Sequence, residues 1–202
     1  MKLYYSPGAC SLASHILLNE TGAKFEAVKV NLGEHKTEKG EDYYTINAKG
    51  AVPALRLENG EVLTEGAVIL QYVGDHAADS NVMPKAGTME RYREAEWLNW
   101  IASEFHKPMG SFFDKAMTEK AGDLNKVTVN KRLDHLDKHL ATHEYLMGKT
   151  FTAADAYAFT ILSWSGHTGF DLSKHKNVAA YVARIGARPS VQKTLKAEGL
   201  TK

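Results

Sequence analysis

Cys10 is the only cysteine in the 202 residues, and it lies in YYSPGACSLA, where an apolar, strand-like opening meets a helix-like run. A thiol at a helix start faces unpaired backbone amides and the positive end of the helix dipole, a setting that lowers a cysteine pKa from its usual value of about 8.5. Without such a setting the residue is a small apolar filler. A second group lies along a later helix, where Asn99, Ser103 and His106 fall at i, i+4 and i+7. That spacing predicts one polar stripe, either facing solvent or bordering a site, with His106 able to exchange or share a proton near neutral pH. His135, His139 and His143 repeat at i, i+4 and i+8, a spacing that suits a metal. Their helix is rich in Lys and Asp and has no neighbouring cysteine to complete a site, so it reads as a solvated face and no metal is expected.

Composition bounds the setting of this chemistry. Apolar residues make up 44% and charged residues 24%, with 5 Pro and a formal charge of +1. These values fit a folded chain with a real core, in one large domain or two small ones. The charges are interspersed, so neither nucleic acid nor a membrane surface is an expected partner. MKLYYSPGAC lacks the apolar centre of a signal peptide, and no stretch offers the ~20 apolar residues of a membrane span. A lone cysteine forms no internal disulfide; together these features point to the cytoplasm.

The elements that must position these groups change character along the chain. KLYY reads as a strand, Ser11 as the cap of a helix running to about Gly22, and FEAVKV as a second strand. A polar stretch from Asn31 to Gly50 reads as loop with one short helical turn. VPALRL and EVLT flank Glu58-Asn59-Gly60, a hairpin in which Asn59-Gly60 suits positive φ, and a helix follows from about Glu65 to Ala77. This order predicts an α/β layer with a mixed sheet.

Beyond the linker ADSNVMPKAGT only helical periodicity recurs. Trp97, Ile101 and Phe105 mark a helix from about Thr88 to Lys107, which Pro108 ends or kinks. Val129, Leu133, Leu136 and Leu140 mark a second helix. A third opens at FTAADAYAF, where Thr152 and Asp155 form a capping box. Shorter helices near Val178 to Gly186 and Ser190 to Glu198 finish the chain.

Distributed over nearly the whole length, YYSPGACSL, VPAL, LTEGAVILQY, EWLNWIASEFHK, FTAADAY and RPSV occur in the order and spacing of a known family. On these motifs the chain resembles a glutathione transferase, specifically the bacterial beta class. The resemblance implies an N-terminal thioredoxin-like domain (βαβ then ββα, mixed sheet), placed at residues 1–78, and an all-α helical-bundle domain at residues 88–202. Glutathione is the implied co-substrate. Its sulfur attacks well only as thiolate, and a flexible anionic tripeptide must be held at both ends.

Residue by residue, the resemblance puts Cys10 beside the glutathione sulfur, with Ser11 at the same helix start; Tyr5 either donates a hydrogen bond nearby or only packs in its strand. Val52 with Pro53, cis in thioredoxin-like folds, would pair with the cysteinyl backbone. Glu65 would bind the γ-glutamyl ammonium and the Gly66 amide its carboxylate; Gly66 stands where most of the superfamily has serine, so a hydroxyl contact is missing. His35 or Lys36 would meet the glycine carboxylate. Asn99, Ser103, Glu104 and His106 match the signature that borders glutathione, with His106 donating to a thiolate or leaving group. Phe112, Phe113, Trp164 and His167 either line a pocket for a second, apolar substrate or pack as core.

The implied activity is conjugation of the glutathione thiolate to electrophilic, largely apolar small molecules, a detoxification reaction. Two alternatives use the same residues: a glutathione-dependent thiol-disulfide oxidoreductase working through a Cys10 mixed disulfide, and a non-catalytic binding protein of the same fold. The family's twofold homodimer would use the stretch Met89 to Trp97.

Overall fold

A computed structural model of the chain describes residues 1–77, 81–114 and 116–201; residues 78–80, which begin the expected linker and include the end of the expected first domain, lie outside the described residues, as does residue 202 at the end of the expected second. The chain divides into two compact units, Met1–Met83 with Arg188–Lys202, and Pro84–Ala187.

The first unit carries a five-stranded sheet in the order β3-β2-β1-β4-β5. Strands β1 (Lys2–Tyr5) and β2 (Glu26–Asn31) pair in parallel, and β4 (Ala54–Arg56) lies antiparallel to both β1 and β5 (Val62–Thr64). Leu3, Tyr4 and Tyr5 are all buried, as befits a central strand covered on both faces, whereas β2 alternates buried and exposed positions. Helix α1 (Ser11–Glu20) is buried from Ser11 to Leu18 because it packs with β1, with α2 (Gly66–Asp75) and with α9 (Pro189–Ala197).

Three details differ from the sequence reading. The polar stretch contains a two-residue strand, β3 (Lys36–Thr37), antiparallel to β2, as well as the expected helical turn at Tyr43–Thr45. So short an edge strand carries no periodicity of its own. In the hairpin only Gly60 takes positive φ (+91°), and Leu57 closes on Glu61, so the loop is wider than a two-residue turn. Ser11 does not cap α1. The N-cap residue is Cys10, in helical conformation without a side-chain cap, and the Ser11 hydroxyl turns back to donate to Ser6 O and accept from Ser6 N–H. The hydroxyl closes the Ser6–Ser11 turn, a local pairing that competes with capping.

The second unit is helical. Its core runs through Val129, Leu133 and Leu136 of α5 (Glu119–Leu140) and through α6 (Ala153–Ser163), apolar all round and buried from Ala153 to Leu162. The Thr152–Asp155 capping box closes α6, and Asp155 also accepts from Leu146 N–H (2.9 Å) and the Tyr181 hydroxyl (2.7 Å). Tyr181 belongs to α8 (Lys176–Gly186).

Pro108 does not end the first long helix. After α3 (Met89–Trp100) comes a π-helical segment, Ile101–His106, and the run continues as α4 (Lys107–Gly110) through the proline. The proline ring excludes the ordinary bond to the carbonyl four residues back, and the wider π turn shifts the register ahead of it. The short α7 (Ser165–Thr168) follows α6.

Candidate active site

In the first unit, the turn between β1 and α1 presents Cys10 at the helix start. Its Sγ donates to Val52 O at 3.1 Å. Val52-Pro53 is a cis peptide bond immediately before β4, and Val52 belongs to the buried cluster with Tyr4, Val28, Val30, Tyr43 and Ala54. The preceding carbonyl, Ala51 O, accepts from the Tyr43 hydroxyl (2.9 Å) and from Asn47 Nδ2 (2.7 Å). Burial pushes the Tyr43 pKa up to about 12, so its hydroxyl stays a donor and fixes this backbone.

Gly66 opens α2 beside the Pro53 ring, close enough that an added Cβ would stand 3.8 Å from Pro53 Cγ. Glu65 is the N-cap at φ +68°, a conformation that turns its carboxylate out into solvent, where Lys49 Nζ pairs with it and with Thr64 Oγ1. Cys10, Val52, Pro53, Gly66 and Glu65 thus form one continuous cluster. Lys49 and the Ala51 clamp of Tyr43 and Asn47 had no motif to announce them.

His35 takes φ +51°, its ring tilted against Tyr44 with centroids 4.4 Å apart, and its Nδ1 is buried with no hydrogen-bond partner. Lys36 is exposed on β3. The Tyr5 ring stands edge-on to His15 at 5.3 Å. Burial, and then the Glu198 and Glu38 charges, push the Tyr5 pKa up, so the phenol stays protonated. His15 in turn meets Glu198 Oε1 at 2.8 Å, and Glu198 Oε2 accepts from Gly8 N–H at 2.9 Å.

In the second unit the π turn separates the expected polar stripe. Asn99, Ser103 and Glu104 are exposed, with Ser103 Oγ donating to Asn99 O and Arg132 bound to Glu104. His106 is turned inward instead, since a π turn advances the chain through a smaller angle per residue than the α spacing assumes. Its Nδ1 lies 2.7 Å from the Tyr157 hydroxyl, and its ring stands 5.1 Å from Trp164. Burial, and secondarily the Lys107 charge, hold the His106 pKa down to about 4, leaving the ring neutral at pH 7. Tyr157 was legible in FTAADAY only as part of a helix start.

Of the four pocket candidates, Phe113 packs edge-on to Trp164 (5.4 Å), while Phe112 pairs with Phe170 (5.1 Å) and His167 is exposed on α7. Of the three spaced histidines only His135 and His139 lie on α5, which ends at Leu140 before His143: His139 Nε2 donates to Leu146 O and its ring stacks on His143, and His135 lies against Trp97 and Trp100. Among the described residues, no group of three or more His, Cys, Asp or Glu side chains is arranged to hold a metal ion, and no helix is long and apolar enough to cross a membrane.

The chain and its fold are similar to known proteins. Residues 8–76 match the family glutathione S-transferase, N-terminal domain, and residues 100–189 the family glutathione S-transferase, C-terminal domain. Glutathione S-transferase GstA of Escherichia coli O157:H7 is 42% identical over 99% of this chain and 100% of its own. A sphingomonad glutathione S-transferase solved in complex with glutathione superposes with a TM-score of 0.96 at 45% identity, covering 100% of both chains. The bacterial beta class glutathione S-transferase of Sphingomonas chungbukensis gives 0.96 at 47%, again over 100% of both. These likenesses do not favour the oxidoreductase alternative. With the mixed five-stranded sheet, the helical second unit and matches to both domains, the chain belongs to the glutathione S-transferase family, in its bacterial beta class, and is a glutathione transferase.

Proposed function

We propose that the chain conjugates the thiolate of glutathione to electrophilic, largely apolar small molecules, a detoxification reaction, with glutathione held by the first unit. The observation that carries this reading is the contact of Cys10 Sγ with Val52 O at the start of α1. It brings a thiol, a helix N-terminus and the backbone just ahead of β4 to one point. The Val52 backbone, which lies before the strand pairing begins, suits pairing with the cysteinyl residue of an extended peptide, and the helix end suits the sulfur's negative charge.

Glu65 takes the γ-glutamyl ammonium in place of Lys49, and the Gly66 amide takes the adjoining carboxylate. His35 or Lys36 meets the glycine carboxylate. Ser11 shapes the turn that presents Cys10, and Tyr5, at the end of β1 just before that turn, either donates a hydrogen bond nearby or only packs in its strand. The family resemblance assigns Asn99, Ser103, Glu104 and His106 to the same ligand, with His106 stabilising the anion. The Phe113–Trp164 pair supports an apolar subsite for the electrophile, with Phe112 and His167 as its further candidates.

A homodimer belongs to this reading. Met89 and Tyr92 of α3 are 64% and 63% exposed, unusually open for large apolar side chains, and Arg93 and Glu96 pair beside them. The cytoplasm is the proposed compartment.

The test pairs conjugation of glutathione to chlorodinitrobenzene with reduction of hydroxyethyl disulfide, for the wild type and for Cys10→Ala. In the variant, conjugation falls on the order of tenfold, ~1.4 kcal/mol of transition-state stabilisation, because the ligand brings its own thiol. Any disulfide reduction disappears with the sulfur. Wild-type protein that neither conjugates nor binds glutathione would overturn the reading.

A further inference from the structure

His106 reaches its place at the end of the π segment, and the neighbours of its ring leave it little freedom. Trp164 stands edge-on at 5.1 Å on one side, and Gly110 lies beside the ring, where an added Cβ would be in ordinary contact, 3.7 Å from Cδ2. A neutral imidazole carries one N–H and one bare nitrogen, so its two tautomers offer opposite chemistry at the outward nitrogen. With Nδ1 protonated, Nε2 is a base; with Nε2 protonated, it is a donor. The choice belongs to whatever faces Nδ1, and that group is the Tyr157 hydroxyl at 2.7 Å, on a side chain only 4% exposed. Between a phenol and an imidazole nitrogen, the phenol is the stronger acid and the nitrogen the better acceptor.

We infer that Tyr157 is a positioning residue: its phenol donates to Nδ1 of His106, holds the ring in the Nε2–H tautomer, and makes the outward nitrogen a hydrogen-bond donor rather than a base. This rests on the role given to His106 above and sharpens it. An Nε2–H stabilises a thiolate or the charge developing on a leaving group, but it takes no proton from glutathione. A metal-bound histidine is fixed by the same device, a partner on the nitrogen facing away from the chemistry.

Nitrogen-15 correlation spectra of the full-length protein at pH 7 read the tautomer directly, with the His106 signals assigned by their loss in His106→Asn. The wild type is expected to show a pyrrole-like Nε2 and a pyridine-like Nδ1, and Tyr157→Phe, which removes only the hydroxyl, to show tautomer averaging. The kcat for chlorodinitrobenzene should fall on the order of tenfold in Tyr157→Phe with little change in KM for glutathione, and little further in the double variant with His106→Asn. A wild-type ring protonated on Nδ1, or a Tyr157→Phe spectrum identical to wild type, overturns the inference. The expected tautomer change with unaltered kinetics upholds it and refutes the catalytic role of His106. The wild-type spectrum decides the tautomer even if the variant fails to fold.

Discussion

Glu94 in α3 is fully buried; its Oε1 accepts from Ala154 N–H at 2.7 Å, the Thr152 hydroxyl lies close by, and among the described residues Oε2 is buried without a partner in hydrogen-bond geometry. Burial pushes its pKa from the ordinary 4.5 up to about 7, against the opposing pull of the Ala154 amide and the Thr152 hydroxyl. The folded protein therefore keeps a proton that the unfolded chain releases between pH 4.5 and 7. A raised carboxyl pKa makes stability fall as pH rises through that window, and the whole cost is present above pH 7. At 1.36 kcal/mol per tenfold change in the proton equilibrium, the displacement from 4.5 to about 7 amounts to ~3 kcal/mol. Glu94→Gln keeps an oxygen for Ala154 and removes the charge. Near pH 5 both side chains are largely uncharged in the folded protein, and the glutamine amide carries two N–H donors where the acid has one O–H, so the difference there is a fixed offset on the order of 1 kcal/mol. At pH 8 the variant should be more stable by up to about 3 kcal/mol. Urea unfolding across this pH range, at one protein concentration because assembly shifts apparent stability, gives the difference directly. A stability difference that does not grow with pH would refute the argument.

Asp155 accepts from Leu146 N–H, Thr152 N–H and the Tyr181 hydroxyl while fully buried, so Asp155→Ala should cost on the order of 3 kcal/mol or more and appear as a lowered unfolding midpoint, with the kinetics of surviving folded protein near normal. A variant that melts like its parent would refute that assignment. Glu198→Ala takes an acceptor from Gly8 N–H and from the buried His15 together, which predicts a loss of about 2–4 kcal/mol and a raised KM for glutathione through the loosened Cys10 turn; Glu198→Gln, keeping an acceptor, should recover part of both. Equal stability in all three proteins would show that the Glu198 contacts contribute nothing.

Local sequence determined what depends on local chemistry. β1, β2, β4 and β5 followed from alternating or continuous apolar runs, α5 from its leucine repeat, and the start of α6 from the side chains of Thr152 and Asp155 three positions apart. Cys10 at a helix start was likewise legible, because strand, turn and helix follow one another without a gap. The tertiary structure decided everything that depends on which residue faces which. Ser11 lost its expected cap to Ser6, Pro108 was absorbed by a π turn, and that turn took His106 out of line with Asn99 and Ser103. The partners of the candidate groups lie far along the chain: Val52 O for Cys10, Glu198 for His15, Tyr157 for His106. No periodicity records such pairs, since a hydrogen bond across forty to almost two hundred residues depends on how helices and strands pack. Burial is set in the same way, and burial is what keeps the His106 ring neutral at pH 7 and holds the proton on the Glu94 carboxyl well above the ordinary carboxylate range.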